Sequence, residues 1–231
     1  MRLSNYFQAT LTKLALLSAA FIFLGPAVQV ATEQNSSGQI PKGALVIEAE
    51  KLLADLGYWI TKVDGNKDAS TYHAIAAFQK VEGRRRTGVL TQNELDAMRL
   101  ASRPIGKYRG SAHIEIDIMR QIIFLVDENG IVTQILPVST GNDKKYFDKR
   151  KWQTAHTPRG DFKIIRQIAG VRRASLGELY YPNYFLDGWA IHGSTSIPFL
   201  PASHGCVRIP NFAAKDFSDL VRVGMIVFVY D

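Results

Sequence analysis

The sequence predicts an α+β protein in which a small three-helix bundle is followed by a mostly β, sandwich-like domain. Apolar residues recur at steps of three and four between residues 45 and 101, whereas from residue 111 onward they alternate. Between these patterns Ala101 to Gly110 (ASRPIGKYRG), with one proline and two glycines, resets the periodicity. The expected layout is a helical domain over 45–101, a linker over 102–110 and a second domain over 111–231. The full chain of 231 residues has room for one or two modest domains. Its 46% hydrophobic and 21% charged content excludes a disordered tail and a multi-pass membrane protein.

In the first helix Leu45, Ala49, Leu52, Leu53 and Leu56 share a face, and Gly57 ends it. A second helix is expected from Ser70, as N-cap, through Ala74, Ile75, Phe78 and Val81 to Gly83. A third opens at Thr91, which with Glu94 matches a capping box, and carries Leu95, Met98 and Leu100. Asp64-Gly65 and Thr87-Gly88 are the turns between them. Beyond the linker, strands are expected at His113 to Ile118, Gln121 to Val126 and Ile131 to Val138, the last two joined by an Asp127-Glu128-Asn129-Gly130 turn. Further strands fall at Gly160 to Arg166, Ala190 to His192 and Met225 to Tyr230, with one helix over Phe212 to Val221.

Arg2 and Lys13 precede an unbroken apolar run, Leu14 to Leu24, closed by Gly25 and Pro26, which reads as an export signal over 1–31. Left uncleaved, it would tether the chain to a membrane. A polar linker follows over 32–44. The formal charge of the full chain is +7. Residues 45–101 hold eight basic and eight acidic residues, whereas 102–231 hold 17 and 12, so the excess lies on the second domain and suits an anionic partner.

One cysteine, Cys206, closes no intrachain disulfide and excludes a Cys-rich zinc fold. Outside the cytoplasm an idle thiol is a liability, which favours chemistry at Cys206. The chemical groups converge within twenty residues: Trp189-Ala-Ile-His192-Gly-Ser and Pro201-Ala-Ser-His204-Gly-Cys206-Val-Arg208. A nucleophilic cysteine needs a neighbouring imidazole. Spacing leaves His192 and His204 nearly even; the end-of-strand position of His192, followed by Gly193, favours it as the base. Gly205 permits a tight turn that would leave the Cys206 N–H open to an oxyanion. Zinc held by His192, His204 and Cys206 is disfavoured because a fourth ligand is lacking. No cofactor or metal is expected, and Arg84-Arg85-Arg86 reads as a solvated corner rather than a nucleic-acid contact.

Two resemblances add to this reading. LLADLGYW, VDG and STYHAIAAFQKVEGRRRTGVLTQNELDAM, within 45–101, resemble the three-helix peptidoglycan-binding module of wall enzymes. Here Asn66-Lys67-Asp68 replaces the aromatic-glycine pair usual after the first Asp-Gly, and Thr87-Gly88 replaces the second Asp-Gly. IHGS and SHGCVR, preceded in order by VSTG at 138–141 and TPRGDF at 157–162, resemble the catalytic domain of L,D-transpeptidases of the YkuD type. The resemblance covers 111–231. It implies Cys206 as nucleophile and His192 as proton donor and acceptor, with the Gly193 carbonyl orienting the imidazole. It further implies that Ser203, His204 and Gly205 build the turn around the oxyanion, and that Arg208 supports the site or meets a substrate carboxylate.

Peptidoglycan stem peptides and glycan would be the partners, the location the cell envelope or periplasm, and the protein monomeric. The implied reaction is transfer of a stem-peptide acyl group through a Cys206 thioester, with release of D-alanine. The alternatives are an L,D-carboxypeptidase that uses water, or a wall-binding protein without catalysis. Two features depart from many relatives: only ten residues separate His192 from Ser203, and residues 142–156 (NDKKYFDKRKWQTAH) insert a basic, aromatic segment, a lid or acceptor-side wall or a solvated surface loop. Tyr184 is a candidate for the substrate pocket, although an aromatic there is more often core.

Overall fold

The computed structural model describes residues 43–231; the expected export signal and the linker up to residue 42 lie outside the described residues. Among the described residues no helix is long and apolar enough to cross a membrane. Three helices open the chain: α1 (Ala44–Asp55), α2 (Ala69–Val81) and α3 (Gln92–Leu100). Val46, Ala49 and Leu53 of α1 are fully buried, and Gly57, at φ +93°, ends that helix as expected.

Two caps differ from expectation. The N-cap of α2 is Asp68, whose carboxylate accepts the Thr71 N–H at 2.9 Å, whereas Ser70 turns inward and its Oγ accepts from the Thr61 N–H at 3.1 Å. Thr91 caps α3 by accepting the Glu94 N–H at 3.2 Å, but the Glu94 carboxylate does not complete a capping box. It pairs instead with Arg84 Nε at 2.9 Å, a charged donor that outcompetes a backbone N–H.

The fully buried carboxylate of Glu50 organises this bundle. Its oxygens accept from the Asp64 and Gly65 N–H groups, each at 2.9 Å, and from Thr71 Oγ1 at 2.7 Å. One side chain of α1 thereby fixes the Asp64-Gly65 turn and the start of α2. Three donors offset the cost of burying the charge.

The strands are β1 (His113–Asp117), β2 (Ile122–Val126), β3 (Val132–Pro137), β4 (Lys145–Asp148), β5 (Lys151–Thr154) and β6 (Gly160–Lys163). They continue as β7 (Arg166–Gln167), β8 (Val171–Ala174), β9 (Gly177–Leu186), β10 (Trp189–Ser194), β11 (Val207–Pro210) and β12 (Ile226–Tyr230). One sheet has the order β3-β2-β1-β12-β6, with β1 and β12 parallel. The other has the order β11-β10-β9-β7, with β8 also on β9, and β10 parallel to β11. A 3-10 turn, Asn211–Ala213, leads into α4 (Ala214–Leu220), so the last helix is shorter than the 212–221 expected.

Strand alternation builds two cores. Ile122, Phe124 and Val126 point with Val132 and Ile135 into the core shared with α1, α2 and α3. Ile123 and Leu125 point the other way, into a core with Ile191, Val207, Ile209 and Phe217 of the second sheet and α4. Burial on both faces explains why β2 reads as an unbroken apolar run. The helical region is also tied by backbone: the Trp59 N–H donates to the Ile135 carbonyl at 3.0 Å, and the Ile135 N–H to Gly57 at 2.8 Å.

The strand expected over 160–166 is divided, because the chain leaves the first sheet after Lys163 and enters the second at Arg166. Strands β8 and β9 escape the sequence reading for physical reasons. All four residues of β8 are exposed, and β9 contains Pro182 and a left-handed Tyr181 (φ 48°), so neither alternates cleanly.

Removing the Glu50 carboxylate leaves the Asp64 and Gly65 N–H groups unanswered, while Thr71 Oγ1 keeps Asn66 O and Asp68 Oδ1, each at 3.2 Å. Glu50→Ala is expected to cost about 3 kcal/mol of unfolding free energy. Chemical denaturation checks this, and a loss below about 1 kcal/mol would refute the organising role.

Candidate active site

His192 lies in β10 and Arg208 in β11, directly paired across the parallel ladder, as are Ile191 and Val207. One step back along the register sets Cys206 beside Ala190, two residues from His192. Cys206 thus enters β11 at the edge of the strand pair that carries His192, two residues along β10. His192 is 6% exposed, and its Nδ1 lies 2.8 Å from the Gly193 carbonyl. With Nδ1–H donated there, Nε2 is left as proton acceptor.

Electrostatics keep both groups neutral at rest. Burial pulls the imidazole down to about 4, against the upward effect of the Gly193 carbonyl, and Arg208 adds to the lowering. The half-buried Cys206 thiol donates to the Gly188 carbonyl at 3.7 Å. Its burial raises the thiol above its ordinary value, while a backbone hydrogen bond from Ala190 and the charge of Arg208 oppose that rise. Burial outweighs both.

The turn from Ser203 to Cys206 is held from several sides. Ser203 Oγ accepts the Gly205 N–H at 3.0 Å and donates to the Cys206 carbonyl at 2.6 Å. Thr157 Oγ1 donates to the Gly205 carbonyl at 2.7 Å and accepts the Gly141 N–H at 2.8 Å. Ser139 and Arg208 exchange two backbone hydrogen bonds, each 3.1 Å. The VSTG and TPRG motifs thus converge on SHGCVR as its frame. At Gly205 (φ +130°) an added Cβ would lie 2.7 Å from the His156 carbonyl oxygen and 2.9 Å from Trp189 Nε1. Gly193 is equally constrained, because a Cβ there would meet Ala214 and, at 2.8 Å, Asn211 Oδ1.

The other candidates are placed differently. The His204 ring is exposed and packs edge-on against Tyr146, with centroids 4.7 Å apart. The inserted segment is consequently a β4-β5 hairpin standing beside the cysteine turn, and its tip exposes the paired rings of Phe147 and Trp152. Tyr184 is buried on β9 opposite Ala190, with the Arg166 guanidinium 4.2 Å over its ring. Arg208 is half-buried and has no carboxylate partner among the described residues.

Sequence reasoning assigns no role to Gln121, Thr140 or Thr157, and reads Trp189 first as core. Gln121 holds Thr140 through both amide atoms, at 2.7 and 2.9 Å, and the Thr140 carbonyl accepts the N–H groups of Ala202 and Ser203, each at 2.9 Å. Trp189 Nε1 donates to the His156 carbonyl at 2.8 Å, beside Gly205. Thr140 and Thr157 fall inside VSTG and TPRG, which is the signal that could have found them.

A protonated thiol beside a neutral imidazole makes the free protein slow to alkylate. Iodoacetamide labelling of Cys206, followed by mass spectrometry, is expected to keep accelerating beyond pH 9.0, the ordinary thiol value. A plateau near neutral pH would instead indicate a resting thiolate. His192 and His73 are both lowered by burial from 6.5 to about 4, so the unfolded chain takes up protons that the folded chain refuses across that window. Stability should fall as pH drops through it, and less steeply in His192→Asn; denaturant midpoints at several pH values that decline equally in both proteins would contradict this assignment.

Comparison with known proteins identifies the family. Residues 111–229 match the YkuD family, the L,D-transpeptidase catalytic domain, and residues 42–98 match a putative peptidoglycan binding domain. No curated protein matches the chain. Among solved structures, the L,D-transpeptidase from Xylanimonas cellulosilytica is 38% identical, with a TM-score of 0.79, over 84% of this chain and 98% of that one. The L,D-transpeptidase from Stackebrandtia nassauensis is 22% identical over 84% of this chain and 93% of that one, with a TM-score of 0.48. The matched family model spans more than half of the sequence and contains both Cys206 and His192: the chain belongs to the YkuD L,D-transpeptidase family.

Proposed function

We propose that this protein is an exported cell-wall acyltransferase that forms L,D cross-links in peptidoglycan through a thioester on Cys206. The observation that supports the reading is that Cys206 immediately precedes β11, which pairs in parallel with the His192 strand β10, while His192 Nδ1 lies 2.8 Å from the Gly193 carbonyl. As a donor stem tetrapeptide binds, Nε2 accepts the thiol proton and the sulfur attacks the carbonyl before the terminal D-residue. The imidazolium returns the proton to the departing amine, and D-alanine leaves. An amine from a neighbouring stem then attacks the thioester, His192 takes its proton, and the thiol is restored.

Neutral resting groups suit this sequence. A buried imidazole near 4 is unprotonated at neutral pH and free to act as base. The Arg208 guanidinium, without a carboxylate partner among the described residues, would answer a substrate carboxylate or the transient sulfur charge. The segment 42–98 would bring the enzyme to the wall polymer it modifies. The apolar run near the N-terminus would direct export.

Incubation with defined stem tetrapeptides, followed by product analysis, tests the reading. Dimers plus free D-alanine are expected from the native chain and neither from Cys206→Ala, with a loss of at least about 1,000-fold. Shortened monomers without dimers would make it a carboxypeptidase, and unchanged release from Cys206→Ala would overturn the mechanism. Carbapenem treatment should add mass to Cys206 alone.

A further inference from the structure

The helical region reaches the loops around the thiol at two points, both from α2 and the turn after it. At the first, Lys80 is 1% exposed, and its Nζ donates to the carbonyls of Gln121 at 3.0 Å and Val138 at 3.2 Å. Gln121 has a left-handed backbone (φ 59°) and grips Thr140 through its side-chain amide, at 2.7 and 2.9 Å. Thr140 in turn accepts the N–H groups of Ala202 and Ser203, the residues that lead into the cysteine turn. The buried Lys80 amino group of the helical region therefore ends a continuous polar chain that reaches Ser203, whose Oγ bonds to the Cys206 carbonyl.

At the second point the compact loop 195–202, which joins His192 to Ser203, is fastened at its middle. The Phe199 ring lies against Tyr72, with centroids 5.4 Å apart, and 5.7 Å from Lys80 Nζ. The Phe199 carbonyl accepts Arg86 NH1 at 3.2 Å, while Arg86 NH2 donates to the Met119 carbonyl at 3.3 Å. Ser139 Oγ holds the adjoining Leu200 carbonyl at 2.9 Å. Arg86 and Phe199 are 113 residues apart in sequence, so only the folded interface supplies this clamp.

We propose that Lys80, Arg86 and Tyr72 are positioning residues for the thiol and imidazole. By fixing loop 195–202 and the Thr140 segment, they set the alignment of Cys206 with His192. The helical region is then a component of the catalytic unit as well as a wall-binding module. A displacement of the reacting atoms by about 1 Å costs on the order of 100-fold in rate, so a clamp outside direct contact with substrate has leverage.

The proposal uses the thiol chemistry put forward above, but its test does not require a wall substrate. Arg86→Ala and Phe199→Ala alter groups outside the main cores, and Lys80→Met keeps the buried stem while removing the ammonium. Each is compared with the native full chain for carbapenem acylation rate, the pH profile of iodoacetamide alkylation, and melting temperature. Acylation of Arg86→Ala is expected to slow about tenfold, with a displaced alkylation profile and a cooperative melt, and Arg86→Lys should recover most of the rate. A purely structural contact would lower the melting temperature while leaving the profile of the folded protein in place. Native acylation rates and profiles in folded Arg86→Ala and Phe199→Ala would overturn the proposal, and these two variants decide the matter if Lys80→Met fails to fold. Absence of carbapenem acylation in the native chain would count against the transpeptidase reading alone, because the alkylation profile still reports the alignment.

Discussion

The constraint on which the rest depends is the burial of β2 on both faces. Ile122, Phe124 and Val126 serve the helices, whereas Ile123 and Leu125 serve the second sheet. Through this strand the helical core and the intersheet core share one backbone. Burying such side chains contributes about 1.5 to 3 kcal/mol each. Shifting β2 by one residue would exchange the two sets and disrupt both cores together. The register of the first sheet is thereby fixed, and with it the end of β3, where Val138 to Gly141 departs to frame the cysteine turn.

The region of Cys206 and His192 combines stiff backbone with electrically neutral side chains. Gly193 and Gly205 stand where a side chain would collide with Asn211 or with the His156 carbonyl, so neighbouring elements approach the reacting strands closely. Close approach excludes water, and exclusion of water explains the downward movement of the imidazole and the upward movement of the thiol. Arg208 is the nearby positive charge, and it lowers both groups. The Gly193 carbonyl takes the orienting place that a carboxylate holds in a catalytic triad, without adding a full negative charge.

Legibility in the sequence followed the range of each interaction. Ser203, Gly205 and Cys206 are neighbours in the chain, and the hydrogen bonds that shape their turn are local, so the turn is readable in the sequence. The helices were readable from their period, but two caps were not: Asp68 displaced Ser70, and Arg84 took the Glu94 carboxylate from its capping box. Gln121 carried no local signal, because its value lies in reaching Thr140 across the sheet. Lys80 was harder still. A lysine near the end of an amphipathic helix reads as solvated, and only the arrival of two carbonyls from another part of the chain makes its burial tolerable. The β4-β5 hairpin looked like a basic loop since its strands are mostly exposed, and nothing local announced that Tyr146 would meet His204.

The neutral state of the Cys206 thiol also bears on its chemical survival. Peroxides and mixed disulfides attack thiolates far faster than thiols. A sulfur whose burial holds it protonated at neutral pH spends little time in the oxidisable form. Burial is therefore a form of oxidative protection for a thiol that has no second cysteine in the chain to pair with.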